Sequence, residues 1–358
     1  MEYIFNDVLE IKNGKNQKAV ENPDGMYPIY GSGGIMGHAD DYICDAHTVI
    51  IGRKGSINNP IYVSEPFWNV DTAFGLFANK ELLLPRYLFY FCKKFDFEKL
   101  NKTVTIPSLT KSDLLKIKID LPTITEQKEV VDKLLKIETV IGLRNKELIA
   151  LDNLIKARFV EMFGNPIQNP KGWDMPLIEE VVANEKNAIK AGPFGSALKK
   201  EYYVAFGYKI YGQEQVISGD CTFGDYYIDE ERYKSLENCA VQAGDVLISL
   251  VGTYGKLLIM PEVFEPGIIN PRLMKITFDK EKVDPYYFKF FFQSESLKRE
   301  LSENTHGGTM DILNLGIVRK IAMPLPPLKL QNEFADFVKQ VDKSKVVMLK
   351  ILSSIIYL

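Results

Sequence analysis

Histidine and cysteine are both scarce in this chain of 358 residues, at three and four copies. His38, His47 and His306 do not stand at ligand spacing and no HExxH occurs, so nothing points to a zinc hydrolase. Cys44, Cys92, Cys221 and Cys239 form no CxxC pair. That supplies neither a disulfide framework nor a metal site and fits a reducing compartment. An excess of one charge is also missing: the net charge is −3 and the pI about 5.8. Cations for a polyanion must therefore be gathered locally or come from a partner. No apolar run approaches ~18 residues, so no membrane span is expected. MEYIFNDVLE has no basic stretch leading into an apolar one, so a signal peptide is not expected either, and the cytoplasm is the expected location.

Catalytic signatures are missing as well. No GxxxxGK[ST] occurs, and GTYGK (252–256) has the wrong frame. There is no aromatic-flanked Asn-Pro-Pro or Asp-Pro-Pro of the amino-methyltransferase type. GSGGIMG (31–37) reads as a turn, because it does not follow a strand and open a helix in a βαβ unit. Glu126 and Lys128 have ExK spacing but fall in the first turn of a heptad helix, where a solvated ion pair is the expectation. No residue is singled out as catalytic or metal-binding.

What the chain does contain is the same arrangement twice. LPTITEQKEVVDKL begins at Leu121 and LPPLKLQNEFADFV at Leu325, both with Gln at the seventh position (Gln127 and Gln331). TVIIGRKGS (48–56) is matched by GDVLISLVGT (244–253), and YPIYG (27–31) by YKIYG (208–212). The Pro-started aromatic helix pattern after Leu84 is matched by DPYYFKFFF from Asp284. A period this long is a duplicated domain plus a helix, not a solenoid.

In the first helical segment Leu134, Ile141, Leu148, Ile155 and Met162 recur every seven residues, with Val130, Ile137 and Leu151 on the flanking row, which Arg144 and Arg158 interrupt. In the second, Val338 and Leu352 share a row with Lys345, while Phe334, Val341, Met348 and Ile355 fill the other. Sevenfold spacing marks a coiled-coil seam. A helix of ~40 residues is ~60 Å long, too long to be buried in one small domain, so the two are expected to pack together. Each alone could also be an ordinary amphipathic core helix. Pro122 opens the first, Thr123 or Thr125 can cap it, and Gly164-Asn165-Pro166 ends it.

With the paired LP…Q helices, YPIYGSGGIMG followed by TVIIGRKGSINNPIY and PFWNVDTAF, and AGPFGSALKK (191–200), the chain resembles the specificity subunit of Type I restriction–modification enzymes over essentially its whole length. The resemblance implies an α+β protein. Residues 1–121 and 164–324 would be target-recognition domains, and 122–163 and 325–358 conserved helices forming an antiparallel coiled coil about a pseudo-twofold axis. It implies a double-stranded DNA target in two halves, two methyltransferase subunits docked on the helices, and restriction subunits joining them. S-adenosylmethionine, ATP and Mg would belong to those partners, with no cofactor in this chain. The second helix lacks a counterpart to IKARFVEMFG (155–164), which departs from the family pattern.

Reading DNA requires base-edge donors and acceptors plus phosphate contacts that fix the register. In the first segment the candidates are Lys12 and Lys15, Ser32 in the glycine loop, and the polar turn Arg53, Lys54, Ser56, Asn58 and Asn59. In the second they are Phe194, Ser196 and Lys199 around GPFGS, Gln213 after YKIYG, and Thr253, Tyr254 and Lys256. Lys102 and Thr103 precede the first conserved helix, as His306 and Thr309 precede the second. For any one of these a solvated loop is the plainer reading. Two other functions stay open: a duplicated protein-interaction scaffold, and an enzyme with a hidden active site.

Overall fold

A computed structural model describes residues 1–103, 105–194, 197–250, 255–303 and 313–356, with residues 355 and 356 described by backbone alone. The chain divides into two compact units, Met1–Leu143 and Arg144–Leu358, with the boundary inside one long helix.

The first unit begins with β1 (Glu2–Ile4), α1 (Phe5–Val8) and β2 (Leu9–Asn13). Then follow β3 (Tyr27–Gly31), β4 (Gly34–Ala39), β5 (Thr48–Gly52), β6 (Ile61–Val63), β7 (Trp68–Asn69) and β8 (Ala73–Ala78). Helix α2 (Pro85–Lys94), α3 (Lys111–Leu114), β9 (Lys118–Asp120) and α4 (Ile124–Phe163) complete it, α4 running on into the second unit. One sheet has the order β2-β8-β5-β6 and another β4-β3-β7, with β3 and β7 parallel. Strand β5 is buried along its whole length, as a run of Val and Ile in a central strand must be. GSGGIMG is the β3–β4 hairpin, with Gly34 at φ +123°.

The second unit repeats this order with insertions. It contains β10 (Ile189–Ala191), β11 (Tyr203–Val204), β12 (Tyr208–Tyr211), α5 (Gln213–Ser218), β13 (Tyr227–Ile228) and α6 (Glu230–Ser235). After these come β14 (Val246–Ser249), β15 (Leu257–Ile259), β16 (Gly267–Ile269) and β17 (Leu273–Ile276). Helices α7 (Pro285–Phe292), α8 (Glu295–Glu303), α9 (Leu315–Arg319) and α10 (Leu328–Ile356) close it. Its sheets have the orders β10-β17-β14-β15 and β11-β13-β12-β16, with β12 and β16 parallel. The first order answers β2-β8-β5-β6, and the parallel pair answers β3 and β7.

Thr123 starts α4 with a reciprocal cap: its hydroxyl accepts from the Glu126 amide at 3.3 Å, and Glu126 Oε2 accepts from the Thr123 amide at 2.8 Å. The Thr123 hydroxyl, which also donates to Glu126 Oε2 at 2.7 Å, and then the Thr123 amide hold the Glu126 carboxyl below its ordinary range. Glu126 is therefore a capping residue and not the solvated partner of Lys128. The repeated glutamine has one job in both units. Gln127 Oε1 accepts from Leu84 N at 2.9 Å, and its Nε2 donates to Leu82 O and Pro122 O. Gln331 Oε1 accepts from Asp284 N at 2.9 Å, and its Nε2 donates to Lys282 O and Pro326 O. Each thus pins the chain entering a Pro-started aromatic helix to the start of a long helix.

Within the second unit α4 and α10 run antiparallel: Phe159 meets Phe334, while Asp152 pairs with Lys345 at 2.6 Å. Ile155, Val338 and Val341 are buried in the core there, with Leu151 packed against it, and Leu352 is buried too. Met348, Leu148, Ile141 and Leu134 are half-buried, and Ile137 is 38% exposed. Ile355 lies outside the described side chains. Among the described residues, no helix is long and apolar enough to cross a membrane.

Lys209, on β12, is 1% exposed and donates to Glu265 Oε1 at 2.6 Å and Thr222 O at 2.9 Å. Tyr227 donates to the other Glu265 oxygen. The lysine hydrogen bond lowers the Glu265 pKa below its ordinary 4.5. A carboxylate lowered on folding stabilises the protein above that ordinary value, and the stabilisation is lost as pH falls through the folded one. Urea midpoints of wild type are expected to drop on acidification below pH 4.5. Glu265→Gln should be less stable at neutral pH and should show a shallower acid limb; parallel pH profiles for the two proteins would contradict this role.

Candidate nucleic-acid interface

In the first unit four chain segments meet at one end of the sheet. Gly14, just past β2, donates its amide to Ala73 O, and a Cβ there would stand 1.8 Å from Val70 O. Only glycine allows this approach, and it delivers Lys15 to the edge. The Lys15 amide bonds Asn69 O at 2.8 Å, and Trp68 Nε1 donates to Lys15 O at 3.0 Å. Ser32 tops the β3–β4 turn, where its Cβ lies 3.1 Å from the ideal Cβ position of Gly52. Beyond Gly52, the Arg53 and Lys54 amides both point at Thr72 O, at 2.8 and 3.2 Å. Both side chains are exposed. The Arg53 guanidinium lies 5.9 Å from the Phe74 ring centre and 3.5 Å from Asp71 O.

The loop before α3 is zipped onto this edge: Gly55 N donates to Pro107 O, and Leu109 N to Arg53 O. Thr103 belongs to that loop, its hydroxyl in reach of Asn101 Oδ1 and Ile106 O, and Lys102 pairs with Asp113 at 2.8 Å. Ser56 and Asn59 are exposed in the same polar turn. Asn58 faces other work: its Oδ1 accepts from Phe97 N at 2.7 Å and its Nδ2 donates to Asp96. Lys12 sits within β2, its ammonium 4.3 Å over the Phe77 ring.

The second unit brings equivalent segments together. Gly192 N donates to Leu273 O, and a Cβ there would meet Asn270 O at 1.9 Å. Two residues on, Phe194 is 78% exposed, and Lys199 is exposed nearby in sequence. Gln213 stands where Ser32 does, one residue after the Gly that follows Tyr211. Its Nε2 donates to Ser249 Oγ at 2.8 Å, just as Ser32 sits on Gly52. A cleft of about 840 Å³ opens here, lined by Gln213, Asn270 and Arg272 with Tyr203, Phe223 and Tyr226. Lys256 lines a separate cleft of about 510 Å³ with Lys156, Lys298 and Arg299 over a floor of Phe159 and Phe290. Glu295 is its one carboxylate, and it pairs with Lys298 at 3.0 Å. Ser196, Thr253, Tyr254, His306 and Thr309 lie outside the described residues.

Arg272, Lys156, Lys298 and Arg299 were not among the sequence candidates. For Arg272 a signal existed: NPR (270–272) precedes a buried strand, as VDT (70–72) does in the first copy. Among the described residues no three His, Cys, Asp or Glu side chains group as metal ligands. Burial pushes the Cys44 thiol up to about 12, which keeps it protonated and inert at neutral pH.

A family model for the Type I restriction modification DNA specificity domain matches residues 2–153 and again residues 170–354. The Type I restriction enzyme MjaVIII specificity subunit of Methanocaldococcus jannaschii is 24% identical over 317 residues, covering 83% of this chain and 70% of that protein. The fold is similar to a crystal structure of a Type I restriction–modification S subunit from M. genitalium. The TM-score is 0.58 at 16% identity, covering 100% of this chain and 93% of the other. It is also similar to a chain from a study of complex assembly and conformational transition of the type I R-M system. There the TM-score is 0.60 at 18% identity, covering 99% of this chain and 94% of the other.

Proposed function

This chain belongs to the Type I restriction modification DNA specificity domain family, and from that premise we propose that it is the DNA sequence-specificity subunit of a Type I restriction–modification system. One observation supports it above the rest. In both units a glycine-permitted strand end, a hairpin or helix start, and a strand-to-turn junction converge, and exposed donors stand on that convergence. A scaffold copied for another purpose has no need to keep such groups at the same junction twice.

Each unit reads one half of a divided target. Lys15, Lys54 and the cleft of Lys156, Lys256 and Arg299 supply phosphate contacts, which set register without carrying sequence. Ser32, Arg53 and Gln213 face base edges. Partners are double-stranded DNA, methyltransferase subunits and restriction subunits. S-adenosylmethionine, ATP and Mg belong to those partners, this chain catalyses nothing by itself, and the complex works in the cytoplasm. Apolar side chains left exposed on the long helices, among them Leu143, Ile149, Leu154, Val160, Val347 and Leu349, offer a surface for the methyltransferase subunits.

The test is adenine methylation across the host genome with and without the gene. A split motif should lose methylation on deletion. Substituting Arg53 and Lys54 together should change or weaken one half of that motif and leave the other intact. Unchanged methylation after deletion would remove this function. Asn58 should be left in place, since its loss would disturb the fold.

A further inference from the structure

The two units can be aligned by backbone hydrogen bonds, independently of side-chain identity. Val70 N bonds Tyr30 O at 3.0 Å, and Asn270 N bonds Tyr211 O at 2.8 Å. Ala73 N bonds Val70 O at 3.0 Å, and Leu273 N bonds Asn270 O at 3.1 Å. Gly52 pairs with Ala73 across β5 and β8, as Ser249 pairs with Leu273 across β14 and β17. One step beyond each pair the ladder closes with another bond. In the first unit Arg53 N donates to Thr72 O at 2.8 Å; in the second Leu250 N donates to Arg272 O at 2.9 Å. Arg53 is therefore equivalent to Leu250, and Thr72 to Arg272. Both units carry one arginine at this junction, on opposite sides of the same hydrogen-bonded pair.

Opposed residues of an antiparallel pair have Cα atoms about 4.5–5.5 Å apart, a gap that a long arginine side chain can span. We propose that Arg53 and Arg272 are the same reader placed on alternate strands, each contacting one guanine in its own half of the target. The proposal rests on the specificity reading above. A guanidinium presents a rigid fork that matches guanine O6 and N7. The Arg272 fork is oriented before any ligand arrives, and that of Arg53 lies beside the edge of its own strand. Arg272 Nη1 donates to Gln213 Oε1 at 3.3 Å, and Gln213 is itself oriented by its 2.8 Å bond to Ser249. The Arg272 amide is fixed by Asn270 Oδ1 at 2.9 Å. Arg53 is held against Phe74 and Asp71 O. A side chain already held loses less freedom on binding. The neighbouring lysines are better suited to phosphate, as point charges on flexible stems.

The experiment maps methylated sites in cells carrying the whole system with wild-type, Arg272→Lys, Arg53→Lys, or Leu250→Arg with Arg272→Thr. Wild type should show a guanine, on one strand or the other, in each half-site. Each lysine variant keeps the charge and loses the fork. Each should relax that guanine alone, in one half alone, with roughly 5- to 150-fold weaker discrimination there. The double variant moves the arginine across the pair and should restore the guanine that Arg272→Lys relaxes; because Leu250 packs partly on the core, its urea midpoint is measured alongside, and a stably folded double variant that does not restore the guanine overturns the equivalence. An unchanged motif in the lysine variants, or a uniform loss at every site without relaxed sequence, overturns the proposal while the specificity function stands. A wild-type system that methylates no split motif removes both.

Discussion

Replacing Phe334 with alanine is expected to destabilise the second unit by about 3–5 kcal/mol. Phe334 is 0% exposed and lies at the centre of an aromatic cluster. Its ring meets Phe159 at 5.5 Å, Phe163 at 5.5 Å and Phe290 at 5.3 Å, all near edge-to-face. Phe159 and Phe163 in turn contact Tyr287 at 5.7 and 4.8 Å. The cluster thus joins the C-terminal end of α4, helix α7 and the start of α10. Removing one ring leaves a cavity between three helices that the remaining rings still hold apart, so little collapse can fill it. The unfolding midpoint in urea should fall, and α10 should be the first element to lose amide protection. Val347→Ala, on the exposed face of the same helix, is the matched control and should change little. Equal effects from the two substitutions would mean that α10 is not anchored through Phe334.

The second large effect is expected at the repeated glutamine. Gln331→Ala strips partners from one backbone amide, Asp284 N, and two carbonyls, Lys282 O and Pro326 O. Gln331 is fully buried, so water does not replace it without rearrangement. A buried group left unpaired costs about 1–3 kcal/mol, so the loss should reach about 3 kcal/mol. In a unit of this size that is a melting-temperature fall on the order of 10 °C. Gln331→Met keeps volume and should rescue little, since the deficit lies in hydrogen bonds and not in packing. Gln127→Ala should behave likewise in the first unit. If methionine restored wild-type stability at either site, packing would be the operative term.

These sites show how far local pattern reaches. The heptad rows, the proline-started aromatic helices, the buried strand TVIIG and the turn at GSGGIMG were legible because each is written in the period or chemistry of neighbouring residues. The duplication was legible for the same reason: the same local signals recur in the same order. The match of Gln127 to Gln331 was visible as a repeat, but its purpose was not, because the helix entrances it holds lie more than forty residues earlier in the chain.

The candidate site was legible more coarsely. Ser32 and Gln213 follow the matching YPIYG and YKIYG and stand at matching strand ends, whereas the placement of Lys15 and Phe194 past equivalent glycines shows only in the fold. Asn58 looked like a base reader among polar neighbours, yet it braces the turn at 97–100. Arg272 was passed over because motif matching aligns residues along the chain, whereas its counterpart Arg53 stands across a ladder from its own equivalent position. What the sequence determined by itself was therefore the list of elements, their duplication and the family pattern, all carried by near neighbours. What only the tertiary structure decided was which polar side chains are spent inside the fold and which are exposed at the equivalent edge of each unit. That choice depends on hydrogen bonds between residues distant in sequence, and no local period encodes them.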